Sequence, residues 1–299
     1  MLGAMVKQYW APKQGLEPQD VVTVSVMPCL AKKSEAEREP TPTGGGSKVE
    51  EEKEMKPWYD VDYVITTREL IRLLHEKHVH LASLPEEPYD SVLGVSTGAA
   101  VLFGASGGVM EAALRTAYTS ITGEELLPDQ LEFQEVRGFA GVKEATIRLS
   151  SPDGSIDKNL RVAVANGIGN AHSLIEAIEH GQIHYGFVEV MACPGGCVGG
   201  GGQPKTEDPL AVFQRMQGIY QIDRQQKKRK SHENPDVLQI YRELLGEPNS
   251  EVAETFLHTQ FHDRSRRAIT AEESSPSCAP PGSKPHTTTP HRVDKDSEE

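Results

Sequence analysis

The sequence predicts an α/β protein, because segments typical of strands alternate along the chain with segments typical of helices. Residues 21–26 (VVTVSV) and 187–190 are apolar and rich in β-branched residues, which predicts two buried strands. The remaining elements, in chain order, are a strand at 62–65, helices through 70–74 and 109–118, strands at 131–137, 143–149 and 159–165, and a helix at 171–180. Beyond Pro209 the pattern is helical, with Pro235 and Pro248 as helix boundaries.

Local end signals support several of these elements. Thr66 and Glu69 have the T-x-x-E spacing of a capping box at the start of a helix. Asn170 is expected to cap the helix at 171–180, and Gly181 is expected to end it.

Two segments are not expected to join the fold. Residues 36–58 contain PTPTGGGSK and the acidic run VEEEKE, a composition that predicts a surface insertion. From residue 266 onward the chain has almost no apolar content, which predicts a disordered tail at 266–299. The expected folded domain is therefore 1–265.

Composition excludes several classes of protein. The net charge of −13 disfavours non-specific nucleic-acid binding, and an aromatic content of 6% disfavours a stacking platform for bases. No apolar stretch is long enough for a membrane-spanning helix, and the first residues lack the pattern of a signal peptide. Four cysteines in 299 residues are too few for a disulfide-built secreted protein, so we expect a reducing compartment.

The strongest local signal is the segment Met191–Pro204, MACPGGCVGGGGQP. Cys193 and Cys197 are four residues apart, and six of the eight residues at 195–202 are glycines. Glycines let the backbone approach a bulky ligand and direct N–H groups toward it, which suits an anionic iron–sulfur cluster. The alternative is a Gly-rich turn with two buried free cysteines. A zinc ribbon is disfavoured, because it needs a second ligand pair that the sequence lacks.

A second candidate site follows the first strand, in MPCLAKKSE at 27–35. Pro28 restricts the approach to Cys29, and Lys32 could lower a thiol pKa or contact an anionic ligand. A buried cysteine beside surface lysines is an equally good interpretation.

Three weaker patterns have ordinary explanations. The segment 166–170 (NGIGN) invites comparison with a nucleotide loop, but a tight strand–helix turn is favoured because the third glycine of G-x-G-x-x-G is missing. The basic run 224–230 (RQQKKRK) could dock an acidic electron carrier or simply be a solvated helix end. Apolar residues near the strands could line a dry pocket or belong to the core; they are Met27, Phe103, Met110 and Met191.

Taken together, three passages resemble the catalytic domain of iron-only ([FeFe]) hydrogenases. They are MPCLAKKSE at 27–35, GVSTGAAVLFGASGGVMEAALRTAY at 94–118 and EVMACPGGCVGGGGQP at 189–204. Shorter matches extend the resemblance over about 1–262, and these are DVDYVITTREL at 60–70, RVAVANGIGNA at 161–171, RKSHENP at 229–235 and LHTQF at 257–261. The tail and the internal insertion are similar to those of algal-type members.

The resemblance implies a two-lobed fold with mixed sheets flanked by helices, and an active centre called the H-cluster. That centre joins a [4Fe–4S] cubane through one cysteine sulfur to a two-iron unit carrying CO and CN⁻. Cys29 and Cys193 match cubane ligands, and Cys197 matches the bridging cysteine. Lys32 matches the lysine that contacts a cyanide. Met27, Phe103 and Met191 match residues around the two-iron unit, where a dry apolar shell is expected.

One family motif, T-S-C-C-P-x-W, has no match in this chain, and it supplies a further cubane ligand and a proton-relay cysteine. Three family cysteines therefore remain where a cubane uses four. Cys278 lies in the polar tail and is not expected to substitute. We interpret the sequence as N-terminally truncated, with an incomplete first lobe and one cubane ligand missing.

The resemblance implies the reaction 2H⁺ + 2e⁻ ⇌ H₂, with ferredoxin as electron partner and with hydrogenase maturation proteins. The expected compartment is the chloroplast stroma for an algal protein, and otherwise the cytoplasm or hydrogenosome. The alternatives are a hydrogenase-like iron–sulfur assembly protein without hydrogenase activity, or a non-catalytic remnant of the fold.

Overall fold

The computed structural model describes residues 1–37, 58–127, 130–131, 133–136 and 141–259. Residues Met1–His258 belong to one structural unit. The predicted tail and nearly all of the predicted insertion lie outside the described residues. At the ends of the insertion, Ala36 closes a helix and Trp58 is buried, so both belong to the fold.

The described strands form two sheets. A parallel two-stranded sheet pairs β1 with β2, and a four-stranded sheet has the order β3-β4-β5-β6. In the larger sheet β3, β4 and β5 are antiparallel, whereas β5 and β6 are parallel. The strands are β1 Val24–Met27, β2 Tyr63–Thr66, β3 Gln134–Glu135, β4 Val142–Ser150, β5 Asp157–Asn166 and β6 Phe187–Met191.

Ten α-helical segments connect and flank these sheets in the part of the chain that the structure describes. They are α1 Leu2–Met5, α2 Ala11–Lys13, α3 Ala31–Ala36, α4 Thr67–Glu76, α5 Gly98–Leu102, α6 Gly108–Thr122, α7 Ile168–Glu179, α8 Ala211–Gln225, α9 Pro235–Ile240 and α10 Glu251–Leu257. Two π-helical turns, Val6–Trp10 and Tyr241–Leu245, continue α1 and α9. Pro235 begins α9 and Pro248 precedes α10, as the sequence predicted.

Helices cover both faces of the four-stranded sheet, because β5 alternates its side chains between them. Val162 and Val164 pack with Met110 and Leu114 of α6 on one face. The side chains of Ala163 and Ala165 pack with α7 on the opposite face, where Leu174 is fully buried. The resulting three layers confirm the predicted α/β class.

Two predictions about strand burial are wrong. Val24 and Val26 of the first strand are 56% and 44% exposed, because the two-stranded sheet has one poorly covered face among the described residues. On β6, Phe187 and Val190 are 42% and 45% exposed, whereas Glu189 is the buried residue. The predicted strand at 131–137 is reduced to two paired residues in the described part of this region.

The predicted helix ends are partly confirmed. Thr66 and Glu69 form both hydrogen bonds of a capping box. The hydrogen bond from the Thr66 backbone N–H, and secondly the one from Lys33, lower the pKa of Glu69 to about 2. Gly181 has φ +68°, the left-handed conformation expected just after a helix. The prediction that Asn170 is the N-cap is wrong, because α7 begins earlier and Gly167 occupies the cap position.

A buried cation joins the N-terminal helical segment to the residues just before β2. The Lys7 ammonium is fully buried and donates to both carboxylate oxygens of Asp62, at 2.8 and 2.9 Å, and to the carbonyl of Tyr59. Burial alone would raise the pKa of Asp62, but hydrogen bonds from Lys7 and Thr23 lower it below its ordinary value. The same helical segment packs through Met5 onto the C-terminal helices.

The two parallel strand pairs place both cysteine segments at carboxyl ends of strands. Met27 is the partner of Thr66 at the end of the first pair, and Asn166 is the partner of Met191 at the end of the second. Cys29 follows Met27 by two residues, and Cys193 follows Met191 by two residues. Carboxyl ends of parallel strands are where α/β folds build their sites.

Candidate functional site

The site is formed where two loops meet, and glycines allow that meeting. The backbone N–H of Gly202 donates to the carbonyl of Pro28 at 2.8 Å. A Cβ atom at Gly200 would lie 2.3 Å from the same carbonyl oxygen, and one at Gly202 would lie 2.9 Å from the Pro28 carbonyl carbon. Any side chain at these two positions would push the Cys29 loop away from the Cys197 loop.

A third segment, residues 104–106, follows α5 and contacts the loop that carries Cys193 and Cys197, which we call the cysteine loop. The N–H of Val198 donates to the Gly104 carbonyl at 3.0 Å, and the N–H of Ser106 donates to the Gly195 carbonyl at 3.0 Å. Gly196 has φ +94°, and a Cβ there would lie 2.5 Å from the Ser106 nitrogen. Only glycine satisfies both the conformation and the contact.

Two arginines hold the glycine run from outside. Arg68 donates from its backbone N–H to the Gly202 carbonyl and from its guanidinium to the Gly201 carbonyl, at 3.1 and 2.8 Å. Arg215 of α8 donates to the carbonyls of Val198 and Pro204, at 3.0 and 3.1 Å. The loop is thus fixed by contacts from elements on both sides of it along the chain.

The glycines do not direct most of their N–H groups toward a ligand, which corrects the expectation from the sequence. The N–H groups of Gly195, Gly196, Gly199 and Gly200 all donate to protein oxygens. Close approach of one backbone to another explains these glycines, since a Cβ at Gly199 would lie 2.0 Å from the Pro194 oxygen.

The structure brings together the three cysteines that the sequence singled out. Cys29, Cys193 and Cys197 are half-buried and form no disulfide. Burial raises the pKa of the Cys197 thiol, the neighbouring Cys29 and Cys193 thiols raise it further, and the Lys32 ammonium opposes both. Cys29, Cys193 and Lys32 therefore lie close enough to Cys197 to influence the charge of its thiol.

Among the described residues, no three His, Cys, Asp or Glu side chains converge closely enough to hold a single metal ion. The three thiols nevertheless fit a larger group, because the ligands of an iron–sulfur cluster bind different iron atoms. The described residues offer three of the four thiolates that a cubane uses.

The other predicted site residues are all at least partly exposed. Met27 and Met191 are half-buried at the two strand ends, whereas Phe103 is 45% exposed. The Lys32 ammonium, on the first turn of α3, lies 2.5 Å from the Glu35 carboxylate and its side chain is 44% exposed. Of these three apolar side chains, Phe103 is the most exposed. Met110 belongs to the core beneath α6 rather than to a pocket, and Cys278 lies outside the described residues.

Sequence reasoning missed a buried carboxylate behind the loop. Glu189 is 6% exposed and accepts hydrogen bonds from the backbone N–H groups of Gly107 and Met110, at 2.6 and 2.7 Å. It joins β6 to the N-terminus of α6, where a negative charge is favourable. The available signal was an acidic residue in the middle of an apolar strand.

Two residues of the basic run at 224–230, Arg229 and Lys230, form ion pairs within the fold. Arg229 and Arg115 both bind the carboxylate of the buried Asp223, at 2.6 and 2.7 Å. Lys230 pairs with Glu233 at 2.8 Å. Ion pairing of Arg229 and Lys230 within the fold fits neither the docking site nor the solvated helix end expected from the sequence.

The comparisons with known proteins agree with this geometry. The family described as "Iron only hydrogenase large subunit, C-terminal domain" matches residues 1–201. The chain belongs to the iron-only hydrogenase family. A second family, "Iron hydrogenase small subunit", matches residues 211–264 of this hydrogenase-family chain. The family predicted from the sequence motifs is confirmed.

Relatives of this iron-only hydrogenase domain fall into two groups. The NADP-reducing hydrogenase subunit HndD of Solidesulfovibrio fructosivorans is 43% identical over 267 residues, which are 89% of this chain and 42% of that protein. The cytosolic iron-sulfur assembly component 3 of Mus musculus is 33% identical over 267 residues, which are 88% of this chain and 52% of that protein. The chain therefore spans about half the length of these curated relatives.

Solved structures confirm the predicted hydrogenase fold. A variant of the [FeFe]-hydrogenase HydA1 from Chlamydomonas reinhardtii superposes with a TM-score of 0.72 and 42% identity. The superposition covers 87% of this chain and 68% of that chain. In addition, no helix within the described residues has the length and apolar character needed to cross a membrane.

Proposed function

We propose that this chain is the H-cluster-binding part of an iron-only hydrogenase. The observation that carries the proposal is the convergence of Cys29, Cys193 and Cys197 beside Lys32 at the carboxyl ends of two parallel strand pairs. When bound, the H-cluster would supply the iron chemistry of the reversible reaction 2H⁺ + 2e⁻ ⇌ H₂. Ferredoxin would supply the electrons, and hydrogenase maturation proteins would supply the two-iron unit.

In this proposal the chain's own residues hold and orient the cluster. Cys29 and Cys193 would bind the cubane, and Cys197 would bridge it to the two-iron unit. Since burial raises the pKa of the Cys197 thiol, binding must release its proton to form the thiolate ligand. Lys32 would donate to an anionic cyanide ligand with one of the three N–H groups of its ammonium, which also contacts Glu35.

The apolar residues have a separate proposed role. Met27 and Met191 lie at the ends of β1 and β6, and Phe103 adjoins the segment that contacts the cysteine loop. They would pack around the two-iron unit and exclude water from one side of it.

The first experiment tests the three ligands. The chain is reconstituted anaerobically with iron and sulfide, and bound iron is measured together with the electron paramagnetic resonance (EPR) spectrum after reduction. We expect Cys29→Ser, Cys193→Ser and Cys197→Ser each to lose most of the cluster, while Cys278→Ser keeps it. Wild-type iron content in any of the three site variants would contradict the assignment of that ligand.

A second measurement tests the missing fourth thiolate. If only three protein thiolates bind the cubane, one iron remains open to an external ligand. An added small thiol should then change the EPR spectrum of the reduced wild-type protein. A spectrum that is insensitive to added thiol, but that changes in Cys278→Ser, would show that the tail supplies the fourth ligand.

The alternative function is iron–sulfur assembly without hydrogen chemistry, which the identity to the mouse assembly component favours. Expression with maturation proteins separates the two. A hydrogenase shows infrared bands from bound CO and CN⁻ and evolves hydrogen from reduced methyl viologen. An assembly protein binds only the iron–sulfur cluster. Because we infer that one cubane ligand is missing, hydrogen evolution by this chain alone at the rate of a complete hydrogenase would refute that inference.

A further inference from the structure

The turn at 166–170, between β5 and α7, forms hydrogen bonds with residues of the cysteine loop and with Met191 just before it. The backbone N–H of Gly167 donates to the Met191 carbonyl at 2.7 Å. The side chain of Asn170 turns back and donates to the Asn166 carbonyl at 2.6 Å. These contacts fix the backbone of Asn166 opposite Met191, its partner on β6, and Cys193 follows that partner by two residues.

The Asn166 side chain makes three contacts with the residues around Cys193. Its Nδ2 donates to the carbonyl of Cys193 at 2.7 Å and to that of Met191 at 3.4 Å. Its Oδ1 accepts from the N–H of Gly195 at 3.2 Å. A carbonyl needs a donor and an N–H needs an acceptor, so the partners allow only one orientation of the amide.

We propose that Asn166 is a positioning residue for the Cys193 thiol. Its planar amide bridges backbone groups on both sides of Cys193, and this fixes the direction in which the cysteine side chain leaves the loop. A carboxylate of the same shape could accept from Gly195 but could not donate to Cys193. An aliphatic side chain of similar size could do neither. The role rests on the proposed function only in its consequence for a bound cluster.

The loop geometry is tested first in the protein without metal. Hydrogen–deuterium exchange is followed by mass spectrometry in the peptide that contains Cys193 and Gly195, for Asn166→Leu and Asn166→Asp. Controls are Asn159→Leu and Asn159→Asp, which lie on the exposed far end of the same strand. We expect exchange to be roughly tenfold faster in Asn166→Leu, intermediate in Asn166→Asp and unchanged in the controls. Exchange within about twofold of wild type in Asn166→Leu would overturn the proposal.

The consequence for the cluster is tested after reconstitution with iron and sulfide. We expect both Asn166 variants to release iron faster to a chelator, and to show a changed EPR spectrum and midpoint potential, whereas the Asn159 variants match the wild type. A mere loss of stability would not move the spectrum of the cluster that remains bound. Unchanged spectra and release rates in both Asn166 variants would refute the positioning role.

Two outcomes separate this inference from the proposed function. If the wild-type chain binds no iron, the proposed function fails, while the exchange measurement on the metal-free protein still decides the role of Asn166. If Asn166→Leu does not fold by circular dichroism, Asn166→Asp carries the test, because it keeps the size of the side chain and the bond from Gly195. Wild-type exchange in a folded Asn166→Asp, with a wild-type spectrum, would then count against the proposal.

Discussion

Removal of the buried carboxylate at Glu189 should destabilise the domain strongly. Glu189 accepts from the N–H groups of Gly107 and Met110, at 2.6 and 2.7 Å, and is 6% exposed. A hydrogen bond to a charged group contributes about 1.5–3 kcal/mol, so the loss of both bonds in Glu189→Leu should lower the free energy of unfolding by about 3–6 kcal/mol. Glu189→Gln keeps one acceptor and should lower it by about 2–3 kcal/mol.

The assay is equilibrium urea unfolding of the metal-free protein, followed by far-ultraviolet circular dichroism, because the slope then reports whether unfolding stays two-state. Glu135→Gln is the matched control. Glu135 is exposed on β3, and its substitution should change the free energy of unfolding by less than about 0.5 kcal/mol. A Glu189→Leu protein within about 1 kcal/mol of wild type, with an unchanged slope, would refute the assigned role of this carboxylate.

Three further predictions address other parts of the fold. Burial alone would raise the pKa of Asp223, but Arg115 and Arg229 lower it below its ordinary value. The ionised Asp223 should therefore stabilise the fold fully above the unfolded pKa of about 4, and this stabilisation should be lost as pH falls through the lower pKa of the folded state. Asp223→Asn should flatten the acid side of a stability–pH profile, and an unchanged profile would contradict the ion pairs. Gly196→Ala should lower both the melting temperature and the iron content. Its control is Gly154→Ala, because Gly154 has a similar positive φ but open space around it, and this change should lower the melting temperature only slightly. Equal effects of the two substitutions would show that the backbone conformation, and not the contact, determines the loss. Thr66→Ala should cost about 1 kcal/mol in urea unfolding by removing the capping box, and no loss would show that the cap is not stabilising.

The sequence by itself determined the elements and the candidate ligands. Apolar, β-branched runs identified most strands, and apolar residues at helical spacing identified most helices. The T-x-x-E spacing identified the capping box at Thr66. The motifs around Cys29, Cys193 and Cys197, taken together with the passage at 94–118, identify the iron-only hydrogenase family. These signals are local, since spacing along the chain determines which residues share a helix face, a strand or a turn.

Only the tertiary structure decided what each residue contacts. Glu189 finds its partners about 80 positions away, at Gly107 and Met110. Asn166 finds Gly195 because β5 and β6 are neighbours in the sheet, and the glycines of 195–202 prove to serve backbone contacts with Pro28 and Ser106. The prediction that Val24 and Val26 are buried is wrong because burial also depends on which other elements pack against the strand. Composition shows that a strand is apolar, but the neighbouring layers decide which of its faces is covered.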